Sequence, residues 1–315
     1  MDVLLSIPLL STLLTPSWST SMNLLFFYAT WSTLVLAYDP TKIHASALLA
    51  LRVILWLAPS LLFLTFDSLL PSLASEIKFP GTRLAPRRPL RLLGIAVGNM
   101  LLATGVEAAL SYGFHQATGD TIFRTSTTLP LPWQLFKHIA TLLAAREVLT
   151  YYIHRFVLHG KKSATLTRLH GQWCHAHPMS SLQLYLDHPL PLLVHRLIPI
   201  MLPALAVRPH LLTYMLFTMI CTLEGTLTNS GYSIVPGIIL GGMARRTAVH
   251  YATKGDANYS PLGVLDWAHG TSRGGDVLAD IKDEAEKHDV KRRSARKVNK
   301  GARAVQNSKW LNDDE

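Results

Sequence analysis

Six stretches of this chain, 21–38, 45–70, 92–113, 132–158, 189–207 and 211–228, are long and mainly apolar. A helix needs about 20 mainly apolar residues to cross the hydrocarbon core of a bilayer. The first stretch has no charged residue, the second has only Arg52 and Asp67, and the third has only Glu107. These three meet the length test. The fourth carries polar interruptions. Pro191, Pro199 and Pro203 break up the fifth, so the last pair reads either as two crossings or as a re-entrant hairpin. Residues 3–14 are also apolar, but Asp2 precedes them and no basic n-region exists, which argues against a cleaved signal peptide. The expectation is an all-α integral membrane protein with four to six transmembrane helices.

The net charge of +10 is concentrated in a few places. The loop 71–92 holds Lys78, Arg83, Arg87, Arg88 and Arg91, the segment after His154 holds Arg155, Lys161, Lys162 and Arg168, and the tail holds Lys291, Arg292, Arg293, Arg296 and Lys297. The connections at 39–44 and 114–131 are poor in basic residues. The positive-inside rule therefore puts the basic regions and both termini in the cytosol. No aromatic stripe accompanies the basic tail, so headgroups of anionic lipid fit it better than nucleic acid. Three regions follow: membrane helices and loops over 1–131, a histidine-rich region over 132–278, and a charged, aromatic-poor tail over 279–315 expected to be disordered. Cys174 and Cys221 do not make a disulfide framework.

Five of the 14 histidines, His154, His159, His170, His175 and His177, fall at the end of the fourth apolar stretch or directly after it. Neutral imidazole is the commonest side-chain metal ligand, and a cluster at a membrane edge points to a metal centre acting on a lipid-phase substrate. Glu147, Tyr151 and His154 are spaced by four and three residues and share one helical face, which makes the first two candidates for orienting the imidazole. His159 follows five residues after His154, about 140° around an α-helix, so the two meet one metal only if the helix ends between them; Gly160 with Lys161 and Lys162 is a stop signal. His175 and His177 point apart, as a two-metal site would use. His188, His195, His250 and His269 lie further along.

These residues resemble the fatty acid hydroxylase superfamily, the membrane di-metal oxygenases that include sterol desaturases. The resemblance runs from Glu147 to Thr271. His154 to His159 is similar to the first histidine box, in the spacing of the fatty-acyl hydroxylases, with Glu147 where the family carries an acid. His170, His175 and His177 are similar to a loosened second box, since Ala176 separates histidines that are usually adjacent. His188-Pro189-Leu190 resembles a following element. Asn229-Ser230-Gly231-Tyr232 resembles one that begins with histidine, and Asn258-Tyr259 and 266–271 resemble elements after the third box, with Asp266 and Trp267 in reversed order. The third box itself departs. With His250 as its middle member, Thr247 and Tyr251 stand where histidines are expected.

The resemblance implies metal ligands among His154, His159, His170, His175, His177, His188, His250 and His269, with His195 and His269 as replacements for missing ligands. It implies Glu147 and Tyr151 as catalytic residues, and two iron ions, with zinc an alternative occupant of an isolated sample. It also implies hydroxylation of a fatty-acyl chain with O2, electrons from a cytochrome b5-type donor and its reductase, a site facing the cytosol, and residence in the endoplasmic reticulum. A sterol or terpenoid desaturase or oxidase of the same superfamily is the alternative. The missing ligands motivate another: a non-catalytic, lipid-binding or scaffolding membrane protein. Arg52 and Glu107 would mark an ion path in a transporter, but a mutual ion pair explains them more simply.

Overall fold

The computed structural model describes residues 18–80, 82, 88–160, 164–177, 179–235, 237–275, 279 and 282. The apolar stretch 3–14, Arg83 and Arg87, Lys161 and Lys162, Pro178 and the basic tail from Lys291 lie outside these residues. The described chain forms α1 (Trp18–Ala37), α2 (Pro40–Leu69), α3 (Pro71–Ile77), α4 (Pro89–Thr118), α5 (Pro132–Tyr152), α6 (Ala164–Trp173), α7 (Pro189–Val207), α8 (Leu211–Thr228), α9 (Ile238–Ala252) and α10 (Val264–Ala268). No β-strand occurs among the described residues.

Proline sets the helix starts. α2, α3, α4, α5 and α7 each begin at proline, whose fixed φ suits the first helical position and whose missing N–H is unpaired there anyway. Asp39 caps α2 through Thr41 N at 2.8 Å, while His188 and His210 cap α7 and α8 through Nδ1.

α2, α4, α7 and α8 are long and apolar enough to cross a membrane, so the chain is an all-α membrane protein. The apolar part of α1, Met22–Ala37, is shorter. The expected crossing over 132–158 is not among these spans, because α5 carries Lys137, His138, Arg146 and Glu147. The last pair, in contrast, qualifies on both arms, joined by a turn in which Arg208 takes φ +46°.

Prolines inside the spans act through widened turns. π-helical turns occupy Val53–Leu57 in α2 and Leu193–Leu197 in α7. In each, a proline stands two residues beyond, at Pro59 and Pro199. A proline ring clashes with the carbonyl four residues back in an α-helix, and a π turn relieves that contact.

The bundle closes on a buried ion pair. Arg52 of α2 donates to Glu107 of α4 at 2.5 Å and to Thr104 at 2.6 Å, and Tyr214 of α8 donates to the other Glu107 oxygen. The pairing removes the motive for reading Arg52 and Glu107 as an ion path. Trp31, Leu48, Phe123, Leu142 and Phe217 form one apolar cluster, and Trp56, Leu64, Leu92, Met100 and Leu186 a second. Asn99 of α4 donates to the carbonyls of Tyr185 and Asp187 at 2.9 and 2.7 Å, and Trp56 Nε1 donates to Ser181 O at 3.0 Å. These bonds dock the 179–188 loop on the membrane bundle.

Glu107→Ala is expected to strand the Arg52 charge in the bundle and destabilise the protein by about 3–5 kcal/mol. Thermal unfolding in detergent checks this, with Glu107→Gln as the milder control.

Candidate metal centre

His154 and His159 reach the centre from the end of α5, which continues as a π turn over Ile153–Leu158. His159 N donates to His154 O at 3.0 Å, an i to i+5 bond. That winding stacks residue i+5 over residue i, so the two rings approach to 4.9 Å between centroids. The helix does end at Leu158, as the Gly160 signal predicts, but the widened turn is what aligns the pair. No proline stands behind this turn, and nothing in the sequence announces it.

His170 sits in the last turn of α6 and His175 in the turn after it; His195 comes from the π turn of α7 and His250 from the last turn of α9. The rings converge. His154 lies 4.3 Å from His195 and 4.6 Å from His250, and His159 lies 5.1 Å from both His170 and His175. His154, His159 and His250 form one group with ligand atoms within 4.8 Å of one another, and His159, His170 and His175 form another. His170, Cys174 and Asp187 make a third such group.

Three of these rings are held at Nδ1 by oxygen. His170 faces the Asp187 carboxylate at 2.6 Å, His154 the Tyr259 carbonyl at 2.8 Å, and His250 the Ala257 carbonyl at 2.6 Å. A carbonyl only accepts, so Nδ1 of His154 and His250 carries the proton and Nε2 presents its lone pair. The 257–260 loop that supplies both carbonyls is shaped by Asp266, fully buried, which accepts from the Tyr259 and Ser260 N–H groups at 2.8 Å and from the Ser260 and Thr271 hydroxyls at 2.7 Å. Asn258, at φ +57°, donates to Arg246 O and Arg273 O and accepts from Arg273 N.

Burial keeps the imidazoles neutral. Burial, with neighbouring imidazoles adding to it, pulls His159 and His175 down to about 2. Burial pulls His250 down to about 4 and His154 far below its ordinary value. These four rings are therefore neutral at physiological pH, each with a lone pair on one nitrogen. Nε2 of His154, His170, His195 and His250 is buried without a hydrogen-bond partner, as is Nδ1 of His175. An unsatisfied buried polar atom costs roughly 1–3 kcal/mol. Several in one cluster rival a typical total stability of about 5–15 kcal/mol. Coordination to a divalent metal satisfies these lone pairs together, so the residues fit such an ion.

Other expected site residues lie elsewhere. His177 is outside the ring cluster, and its carbonyl accepts from Gln183. His188 caps α7 and stands edge-on to Trp173. His269 is exposed and stacks on Tyr151 at 5.0 Å, so of the two replacement histidines only His195 joins the cluster. Glu147 and Tyr151 do not orient His154, whose Nδ1 is taken by Tyr259 O. Glu147 instead accepts from Leu262 N at 3.0 Å, and burial raises its pKa. Tyr151 is bonded to Arg155. At the third box, Thr247 donates to Met243 O, and the Tyr251 hydroxyl meets Cys174 Sγ at 3.2 Å. Burial pushes that thiol up to about 12, so it stays protonated. Asn229 donates to Gly225 O. Asp187 went unnoticed in the sequence; its place just before His188-Pro189 was the available signal.

A membrane bundle carrying six clustered imidazoles defines a membrane protein with a histidine-rich, metal-competent centre. Residues 139–271 match the fatty acid hydroxylase family, the one that the histidine boxes resemble. It is similar to fatty acid hydroxylase domain-containing protein 2 of Macaca fascicularis, 24% identical over 78% of this chain and 72% of the relative, and to the Homo sapiens protein of that description, 23% identical over the same shares. No solved structure matches the chain significantly.

Gly255 takes φ +93°, and a Cβ there would fall 2.0 Å from His159 Cε1. Gly255→Ala is expected to displace that ring and lower metal retention while leaving far-UV helicity intact. The depressed imidazoles also set a pH dependence. The unfolded chain binds protons below pH 6.5 that folded His250 takes up only near 4, so this stability is present above 6.5 and lost as pH falls. The melting temperature of the metal-free protein in detergent is expected to fall across that window, and less so in His250→Gln.

Proposed function

We propose that the protein is an iron-dependent, O2-using lipid hydroxylase acting on a fatty-acyl chain. The observation that carries this reading is the convergence of six imidazoles, five of them with a buried and unpaired ring nitrogen, beside an apolar cavity. His154 and His250 would hold one ion and His170 and His175 a second, with His159, which neighbours both pairs, serving one of them and His195 in place of a ligand absent from the third box. Iron bound there supplies the activation of dioxygen for oxidation of a C–H bond. Imidazole also suits zinc, which an isolated sample can carry instead.

The remaining work falls to the chain. Asp187 and the carbonyls of Ala257 and Tyr259 keep three rings in one tautomer and one orientation. A cavity of about 780 Å³, walled by Leu143, Ile220, Leu223, Ile238 and Leu262, takes the acyl chain and excludes water from it. Glu147 lines the same cavity, and its raised pKa lets it hold a proton at the cavity wall. The catalytic region is 132–278, carried on 1–131 and followed by the tail 279–315. Electrons come from a cytochrome b5-type donor and its reductase, with the site on the cytosolic face of the endoplasmic reticulum. Thr247, Tyr251 and Asn229, none of them imidazole, favour a second reading: a lipid-binding protein without catalysis.

Metal analysis after anaerobic loading with ferrous iron separates the two. Near two irons per chain in the wild type, lost in His154→Ala/His175→Ala, is the expected result. Absence of histidine-dependent metal would favour the non-catalytic reading. Expression in a host lacking the activity, with product analysis across acyl, sphingoid and sterol pools, then identifies the lipid.

A further inference from the structure

Arg196 is a cation at the centre without a counter-charge. It follows His195 on the π turn of α7, inside the apolar span Pro189–Val207. Half-buried, it lines the same cavity as His154, His170, His195 and His250. Other arginines of the bundle are neutralised, Arg52 by Glu107 and Arg146 by Glu224. The acids on the cavity wall are likewise committed. Glu224 accepts from Arg146 through both oxygens, at 2.8 and 2.6 Å. Asp187 engages His170 with one oxygen and accepts from His188 N with the other, at 2.7 Å. Arg196 makes no hydrogen bond or ion pair with any described residue.

A charged side chain within a membrane segment is costly and marks function when nothing in the fold pairs with it. The guanidinium fork matches a carboxylate through two parallel hydrogen bonds. A second feature bears on what carries that carboxylate. The apolar cavity of about 780 Å³ shares Arg146, Glu224 and Met243 with the histidine-lined cavity. A cation in one compartment and an apolar slot in the next suit a long-chain amphiphile with an anionic head.

We propose that Arg196 is the headgroup anchor for an acidic lipid, a long-chain carboxylate whose carboxyl end, rather than its tail, is presented to the imidazoles. The proposal rests on reading the site as one that oxidises lipid. A neutral alcohol or sterol would leave the guanidinium unpaired, so Arg196 selects against it.

The test is native mass spectrometry of the full chain in detergent, titrated with laurate, 1-dodecanol or acetate, with metal content measured on the same samples. The wild type is expected to retain one laurate. Arg196→Gln is expected to bind it about tenfold or more weakly, the loss of a charge-assisted pair. Arg196→Lys keeps the charge without the fork and should fall between. Metal content and melting temperature of Arg196→Gln should be no lower than those of the wild type, which excludes misfolding as the cause. Equal laurate binding by wild type and Arg196→Gln, or dodecanol binding as tight as laurate, would overturn the anchor. Acetate binding as tight as laurate would overturn the lipid assignment and leave a site for small free anions. Arginine-dependent laurate binding in a protein that holds no metal would support the anchor while sinking the oxygenase reading.

Discussion

The hydrogen bonds at Nδ1 are the constraint on which the site depends. A neutral imidazole offers one lone pair, and which nitrogen bears it is decided by what the other nitrogen touches. In this chain those partners come from well outside the histidine motifs. Asp187 stands on a loop that Asn99 of a membrane helix pins in place. The Ala257 and Tyr259 carbonyls stand on a loop shaped by the buried Asp266 carboxylate and by Asn258. The membrane bundle and the loop after α9 thus both help to set the orientation of the rings. The same logic explains why Asn258 is buried, with its side chain fully engaged: it is a brace for the loop, although it begins a formal glycosylation sequon.

Much of this was legible in the chain, and the limits have physical causes. The apolar blocks gave the spans, because hydrocarbon demands length and low charge and both are visible in one dimension. α5 falls short as a span because Lys137, Arg146 and Glu147 interrupt it, the last two buried against protein, where apolar content no longer means lipid. Five of the six clustered histidines stand out by density or by motif: His154, His159, His170 and His175 by crowding, His250 by its place in the third box. His177 shares that crowding yet faces away, because alternate positions in a turn diverge. His195 has no crowding and little motif to recommend it. Its membership depends on tertiary packing of α7 against the end of α5, which spacing alone does not encode.

The π turns link these cases. Two of the three sit just ahead of a proline, at Pro59 and Pro199, so the second could have been suspected from the sequence. Under α-helical winding the Pro199 ring would press on the carbonyl of His195 itself. Widening the turn removes that clash and at the same time re-aims the side chains on it. The first turn of the site, Ile153–Leu158, lacks such a trigger, and we have no sequence account of why it widens.

The placement of His195 and Arg196 next to one another on the re-aimed turn has a consequence for how the departure at the third box is understood. Thr247 and Tyr251 stand where the resemblance implies imidazoles, while the ring set includes His195 from a membrane-length helix. The added ring brings an unneutralised guanidinium beside it, since the two residues are consecutive on one turn and line one cavity. A cation that close would weaken the binding of a dication unless an anion lay between or beside them, by the ordinary sign of Coulomb repulsion. Retaining both on the same turn is coherent if the substrate brings the negative charge. Ligand set and headgroup preference are then consequences of one local distortion, rather than independent features of the site.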